Sequence, residues 1–132
     1  MIEMSRSESK QIGAELEQRI CDRFGWDRID GDLGEPDAIT PRSIPIEIKG
    51  CALRISDGPD QERSGRFYLR QRAHRELVDQ GGRYALSVYE PRGGDIEIIS
   101  TAVVPARMLD SVIGSWSSVD RSGEEAVSKI AH

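Results

Sequence analysis

Three charged residues in the first half of the chain, Asp37, Glu47 and Lys49, have types and a spacing that suit phosphate chemistry. Glu47 and Lys49 alternate with Ile46 and Ile48. In a β-strand such alternation sends the two charged side chains to one face and the two apolar side chains to the other. We therefore expect a carboxylate and an ammonium group to lie side by side on one strand.

Asp37 adds a second carboxylate, because it precedes Glu47 by ten residues with the turn signal Pro41-Arg42 between them. In the hairpin that this pattern predicts, Asp37 lies beside Glu47. Two adjacent carboxylates suit Mg²⁺, with Mn²⁺ as a substitute. Lys49 would orient or deprotonate an attacking water and offset charge on a scissile phosphate. The alternative is an ordinary half-exposed strand whose Glu47 and Lys49 form a charge pair in solvent.

The elements that must position these residues follow from the apolar pattern. Apolar residues at four-residue spacing predict a helix from Glu8 to Phe24, which Gly25 ends. Three short strands are predicted next, over residues 26–30, 37–40 and 43–49. A polar loop is expected over residues 50–65, long enough to suggest a functional role.

The second half of the chain predicts a helix from Phe67 to Gln80, followed by the turn Gly81-Gly82. Strands are predicted over residues 84–89 and 96–100, and a short helix begins at Pro105. The order αβββαββα indicates an α/β protein with a mixed central β-sheet flanked by helices.

Length and composition limit the classes of protein. The 132 residues fit one domain, with residues 1–7 and 115–132 expected as loose tails. Hydrophobic residues at 37% and charged residues at 31% exclude collagen-like and disordered chains. Cys21 and Cys51 lack the spacing of a zinc site or a disulfide framework. No apolar run reaches membrane-spanning length and the first residues are polar, so we expect a cytoplasmic protein without a membrane partner.

The basic residues are unevenly distributed, although the net charge is −5. Fifteen of the eighteen are arginines, and five arginines fall within residues 63–75. Four of these are candidate contacts for nucleic-acid phosphates: Arg66, Arg70, Arg72 and Arg75. The alternative is a solvated helix face with partial partners in Glu62 and Glu76.

These residues resemble a known family. Pro36-Asp37 with Glu47-Ile48-Lys49 is similar to the motif of the PD-(D/E)XK nuclease superfamily, and the chain resembles its archaeal Holliday junction resolvase branch. Gly13 and Glu17 resemble the segment of the opening helix whose glutamate joins the metal site. The resemblance implies a restriction-endonuclease-like core in which Asp37, Glu47 and Glu17 hold Mg²⁺, with Glu15 as the alternative helix ligand.

The function that follows is an Mg²⁺-dependent endodeoxyribonuclease acting on branched or duplex DNA. Its catalytic residues would be Asp37, Glu47, Lys49 and Glu17. The resemblance implies a homodimer, because the family pairs two sites to cut two strands; the apolar segment from Val103 to Trp116 is a candidate interface. Two alternatives stay open. One is a catalytically silent relative that kept the fold, and the other is an unrelated α/β interaction domain.

Overall fold

The structure is a computed structural model that describes residues 6–29, 36–56, 62–113 and 127–131. In chain order its elements are α1 (Arg6–Phe24), β1 (Asp27–Arg28), β2 (Ala38–Ile39), β3 (Pro45–Ala52), β4 (Arg54–Ser56), β5 (Glu62–Ser64), β6 (Arg66–Arg70), α2 (Gln71–Asp79), β7 (Arg83–Arg92), β8 (Asp95–Pro105), a 3₁₀ helix (Ala106–Ser111) and β9 (Val127–Ala131). The helices of the described residues include none that is long and apolar enough to cross a membrane.

A five-stranded mixed sheet in the order β1-β2-β3-β7-β8 carries the fold. β1, β2 and β3 are successively antiparallel, β3 and β7 are parallel, and β7 pairs antiparallel with β8. The parallel pair requires a crossover, which β6 and α2 supply. The predicted α/β class with a mixed central sheet flanked by helices is confirmed.

Helix α1 covers one face of this sheet. Its buried residues Leu16, Ile20 and Cys21 pack in one cluster with Ile46 and Ile48 of β3. The apolar stripe predicted along the helix is therefore the core face. The predicted end of the helix is also confirmed.

At that end, Gly25 has a φ of +70°, a conformation that favours glycine. Phe24 is 39% exposed and stacks on Trp26 with ring centroids 4.6 Å apart. The stripe drifts because four-residue spacing exceeds the 3.6 residues of a helical turn.

The opposite face of the sheet is covered by β6, α2 and the 3₁₀ helix. Leu69, Leu77, Tyr84, Ala106 and Leu109 form a buried cluster there. A smaller cluster joins Cys51, Phe67 and Val88. The sheet is therefore buried on both faces, as expected for a strand pair joined by a crossover connection.

The prediction of a polar loop over residues 50–65 is wrong for most of the segment. β3 continues to Ala52, and β4 pairs antiparallel with β5. Residues 57–61 lie outside the described part. At residue 65 a Cβ would lie 2.0 Å from the carbonyl oxygen of Ala52, so glycine permits this close approach. The polar composition of the segment predicted a loop, although β4 and β5 are held together by backbone hydrogen bonds.

Two further predicted boundaries need correction. The helix expected to begin at Phe67 begins at Gln71, because residues 66–70 form β6 with alternating burial. The loose tail expected over 115–132 does not hold for Val127–Ala131, which pair with β6 as β9. The edge of β6 has free backbone hydrogen-bonding groups in the absence of a partner, and β9 satisfies them. The helix predicted at Pro105 is a 3₁₀ helix.

Candidate active site

Asp37, the residue immediately before β2, lies next to Glu47 of β3. β2 and β3 are antiparallel with Ala38 opposite Ile46, so the next pair of positions joins Asp37 and Glu47. The backbone N–H of Asp37 donates to the carbonyl of Ile46 at 3.0 Å. Its Oδ2 accepts a hydrogen bond from the N–H of Ile48 at 2.8 Å. The hairpin predicted from sequence therefore brings the two carboxyl groups together.

The surroundings of Glu47 oppose its ionisation. Its side chain is 21% exposed, and its pKa is raised to about 8. Burial is the largest cause, followed by the negative charge of Asp37, and a side-chain hydrogen bond between the two carboxyl groups adds to the shift. Lys49 acts in the opposite direction, and the charge of Glu17 raises the pKa further. Glu47 is therefore harder to ionise than an ordinary carboxyl group, and a bound cation would favour its ionisation.

Lys49 lies on the same face of β3 as Glu47. Its Nζ is 3.9 Å from Glu47 Oε1, and the lysine side chain is 26% exposed. Ile46 and Ile48 are buried against α1 on the other face, as the alternation predicts. Lys49 therefore combines a contact with the Glu47 carboxyl group with access to solvent.

The two candidate glutamates of α1 have different partners. Glu17 Oε2 accepts from Arg28 Nη2 at 3.2 Å, and both side chains are about one-quarter exposed. Glu15 Oε1 pairs with Arg19 Nε at 2.9 Å, while Arg19 Nη1 donates to the carbonyl of Ile96 at 2.7 Å. Glu15 is thus paired to an arginine that reaches the start of β8. Glu17 is the glutamate whose charge acts on Glu47.

Comparison with known families decides the class of this arrangement. The family model of the PD-(D/E)XK nuclease superfamily domain matches residues 3–132. The chain belongs to the PD-(D/E)XK nuclease superfamily. No curated protein matches the chain at a significant level. A restriction-endonuclease-like fold agrees with the mixed five-stranded sheet, and the family indicates a nuclease that acts on nucleic acid.

PD-(D/E)XK nucleases are generally dependent on divalent metal ions, so the donor set must be tested against such an ion. Asp37 and Glu47 present carboxylate oxygens on facing positions, which are the ligands that Mg²⁺ prefers. Burial and the charge of Asp37 raise the pKa of Glu47, and a divalent cation bound between the two groups would favour the ionised form of both. These residues fit the ion. Over the described residues, however, no three His, Cys, Asp or Glu side chains are grouped to hold a metal.

The four arginines predicted to bind phosphate occupy two elements of this PD-(D/E)XK domain. Arg66 and Arg70 are exposed on β6, and Arg72 and Arg75 are exposed on α2. The predicted helix from Phe67 to Gln80 would carry Arg70 together with Arg72 and Arg75. The structure instead places Arg70 on β6. β6 leads directly into α2, so the four remain on one continuous stretch of surface-exposed chain.

His74 has a role that its sequence position did not reveal. It is 3% exposed, its Nδ1 is 2.9 Å from the Tyr84 hydroxyl, and its Nε2 is 2.6 Å from Asp110 Oδ1. His74 is therefore a buried packing residue that joins α2 to β7 and to the 3₁₀ helix by hydrogen bonds. Tyr84 is the register partner of Glu47 across β3 and β7, and the charge of Glu47 contributes to a raised Tyr84 pKa after burial. No local pattern links His74 to residues so distant in sequence.

A cleft of about 130 Å³ lies between α1 and the sheet. Glu17 is the charged residue in its lining, which otherwise contains mostly apolar groups from α1, β3 and β7: Ile12, Gly13, Leu16, Ile48, Gly50 and Tyr89. The lining excludes Asp37, Glu47 and Lys49. The cleft therefore borders the acidic site through Glu17 and through Ile48, whose N–H donates to Asp37.

Proposed function

We propose that this PD-(D/E)XK domain is a metal-dependent endonuclease that hydrolyses phosphodiester bonds in DNA. The observation that carries the proposal is the pair of facing carboxyl groups, Asp37 and Glu47, with Lys49 Nζ 3.9 Å from Glu47. This combination suits two requirements of phosphodiester hydrolysis, which are binding of a cation and positioning of the attacking water. An ion pair on an ordinary solvated strand would not place two carboxyl groups in contact inside a partly buried site.

The roles of the residues follow from their chemistry. Asp37 and Glu47 would hold Mg²⁺, with Mn²⁺ as a substitute. When bound, such an ion supplies Lewis-acid polarisation of the phosphate and lowers the pKa of water. Lys49, charged and partly exposed, orients the attacking water and offsets negative charge on the phosphate. Ionisation of Glu47 is required before it can serve as a ligand, and the positive charge of Lys49 favours that ionisation.

Glu17 is the third acidic residue of the proposal. Its position next to Glu47 is supported by its effect on the Glu47 pKa, whereas Glu15 is held by Arg19. The ion pair between Glu17 and Arg28 balances the charge of Glu17 in the absence of metal. In the proposed enzyme Glu17 shares its carboxylate between Arg28 and the metal site.

The substrate is proposed to be DNA whose backbone lies along the exposed arginines of β6 and α2. Guanidinium groups bind phosphate oxygens and so fix the register of the nucleic acid. A homodimer belongs to the proposal, because cutting two strands needs two sites. Met108 and Val112 are 58% and 57% exposed within the segment predicted as its interface. Sedimentation velocity measures the oligomeric state directly.

Cleavage assays test the proposal. Labelled four-way junctions, duplexes and single strands are incubated with Mg²⁺, Mn²⁺ or EDTA and the unmodified protein or Glu47→Gln. Glu97→Gln is the matched control, because Glu97 is a 45% exposed residue of β8 paired with Arg92. Metal-dependent cutting that is lost in Glu47→Gln and kept in Glu97→Gln supports the proposal. Cutting that Glu47→Gln leaves unchanged contradicts it.

The same assay tests the narrower proposal of a Holliday junction resolvase. Paired symmetric cuts in the junction alone would support that activity, whereas cutting of plain duplex or single strands would contradict it while keeping the nuclease. Sequence resemblance to the archaeal branch supports including the junction. Preference for a DNA structure depends on surfaces outside the carboxylate pair.

A second candidate is a catalytically silent relative that binds nucleic acid. The ion pair between Glu17 and Arg28 favours this candidate, because it occupies the third carboxylate. Isothermal titration with Mg²⁺ and Mn²⁺ separates the two. A silent relative would bind DNA without binding either ion at Asp37 and Glu47, and Asp37→Asn would not alter its titration.

A further inference from the structure

The outer face of β6 carries a basic and aromatic pattern that the carboxylate site does not use. Phe67 and Leu69 are 5% and 0% exposed, whereas Arg66, Tyr68 and Arg70 are exposed. Because side chains alternate along a strand, the three exposed residues share the face that points away from the core. Tyr68 is 39% exposed and lies between the two arginines.

β6 lies over the face of the sheet that carries the candidate active site. Phe67 packs with Cys51 and Val88, and Leu69 packs in the same cluster as Tyr84. Cys51 follows Glu47 and Lys49 on the same face of β3, since positions 47, 49 and 51 alternate together. Tyr84 is the register partner of Glu47. The outer surface of β6 is therefore separated from the site by a single layer of chain.

The residues around Tyr68 extend the positive character of this surface. β6 continues into α2 without a linker, and Arg72 and Arg75 of α2 are exposed. The outward positions of β6 contain neither an acidic nor an aliphatic residue, which disfavours a cationic or an apolar protein partner.

An exposed aromatic ring between arginines suits one chemical class of ligand. Guanidinium groups bind phosphates of any nucleic acid, but a ring can stack only on a base whose face is accessible. Bases in a continuous duplex are already stacked on each other, whereas those of single-stranded segments are accessible. The tyrosine thus adds a contact that a duplex cannot make.

We propose that Arg66, Tyr68 and Arg70 form a subsite for a single-stranded segment of the DNA substrate, with one unpaired base stacked on the Tyr68 ring. The inference rests on the proposed nuclease function and specifies its substrate as DNA with unpaired nucleotides. Arg66 and Arg70 hold the phosphates on the two sides of that base. Stacking of one base on an aromatic side chain changes affinity by roughly 5- to 150-fold.

Binding measured without metal tests the subsite independently of catalysis. Fluorescence anisotropy in EDTA compares labelled single-stranded DNA, blunt duplex and duplex with a single-stranded overhang. Tyr68→Ala is expected to weaken binding of the single strand and the overhang by roughly 5- to 150-fold, and to change blunt-duplex binding by less than about twofold. Tyr68→Phe keeps the ring and should bind like the unmodified protein. Arg107→Ala is a control at an exposed arginine of the 3₁₀ helix.

A second readout reports stacking itself. A single-stranded oligonucleotide with 2-aminopurine should lose fluorescence on binding to the unmodified protein and Tyr68→Phe, and keep it with Tyr68→Ala. Equal weakening of single-strand and duplex binding in Tyr68→Ala, or no change in either, would overturn the subsite. Absence of metal-dependent cleavage by the unmodified protein would instead count against the proposed function, which this metal-free titration does not measure.

Discussion

The carboxylate of Asp37 accepts a hydrogen bond from the backbone N–H of Ile48 at 2.8 Å. Ile48 packs its side chain against α1, so one residue joins the helix-facing core to the carboxylate pair through its own backbone. This bond fixes Asp37 beside Glu47 even before any cation binds. The positions of the two carboxyl groups are therefore a property of the strand pairing.

Stability without metal is expected to fall as pH rises. The folded-state pKa of Glu47 is about 8, above its ordinary value of 4.5. Between these values the folded protein holds more protons than the unfolded chain, so the free energy of unfolding decreases with increasing pH. Urea unfolding in EDTA from pH 5 to 8.5 measures this slope, and Glu47→Gln should reduce it.

Added Mg²⁺ should reverse part of this loss, because a bound cation favours the ionised pair. The rise in Tm on adding Mg²⁺ is therefore expected to grow between pH 6 and 8. Glu97→Gln serves as the control for the slope. An identical pH slope in Glu47→Gln and in the unmodified protein would mean that another group dominates.

Lys49→Met should reduce cleavage while leaving metal binding in place. Loss of one preorganised group that stabilises developing charge reduces kcat about 10²–10³-fold in well-studied cases. Lys10→Met, at an exposed position on α1, is the matched control with the same change in charge. Single-turnover cleavage measures the first effect, and isothermal titration with Mg²⁺ measures the second. Full activity in Lys49→Met would remove Lys49 from the mechanism.

Arg28→Met should make the protein less stable without metal and more responsive to it. The ion pair with Glu17 is partly buried, so its loss is expected to lower the free energy of unfolding by about 1–3 kcal/mol. The uncompensated Glu17 charge then increases the attraction for a cation. Thermal unfolding with and without Mg²⁺ should show a lower Tm in EDTA and a larger Mg²⁺-induced rise. A smaller rise than in the unmodified protein would contradict this account of Glu17.

The contributions of His74 and Tyr84 to stability should be coupled, because the two side chains share a buried hydrogen bond. His74→Phe keeps a ring but leaves the buried Tyr84 hydroxyl without its partner, which is expected to lower the free energy of unfolding by about 1–3 kcal/mol. Tyr84→Phe removes that hydroxyl, so the double variant should lose less than the sum of the single variants. Urea unfolding of all four proteins gives the coupling energy. Strict additivity would show that the hydrogen bond contributes nothing to stability.

Local patterns predicted the hairpin that carries Asp37 and Glu47. Alternation of Ile46, Glu47, Ile48 and Lys49 defines which face each side chain takes, and this signal needs no distant partner. The α1 stripe was predictable for the same reason. Both features are determined by residues that are close together in the sequence.

Features that depend on distant partners were not predictable. The helix was predicted to begin at Phe67 because Leu69 and Leu77 fall on one helical face, yet residues 66–70 pair with β9 as a strand. The sequence around Arg28 does not predict its ion pair with Glu17. The partners of His74 come from β7 and the 3₁₀ helix, which lie further along the chain. In each case the structure depends on contacts with residues far away in sequence, which local patterns do not contain.

The parallel register of β3 and β7 has a consequence for the order of folding. Asp37 and Glu47 are close in sequence, whereas Ile46 pairs with Arg83, which lies much further along the chain. Short loops close at a smaller entropy cost, so the hairpin is expected to form before the long-range pairing. The burial that raises the Glu47 pKa then arises only as the sheet closes. Closing the sheet therefore favours the protonated form of Glu47, whose pKa rises from 4.5 to about 8.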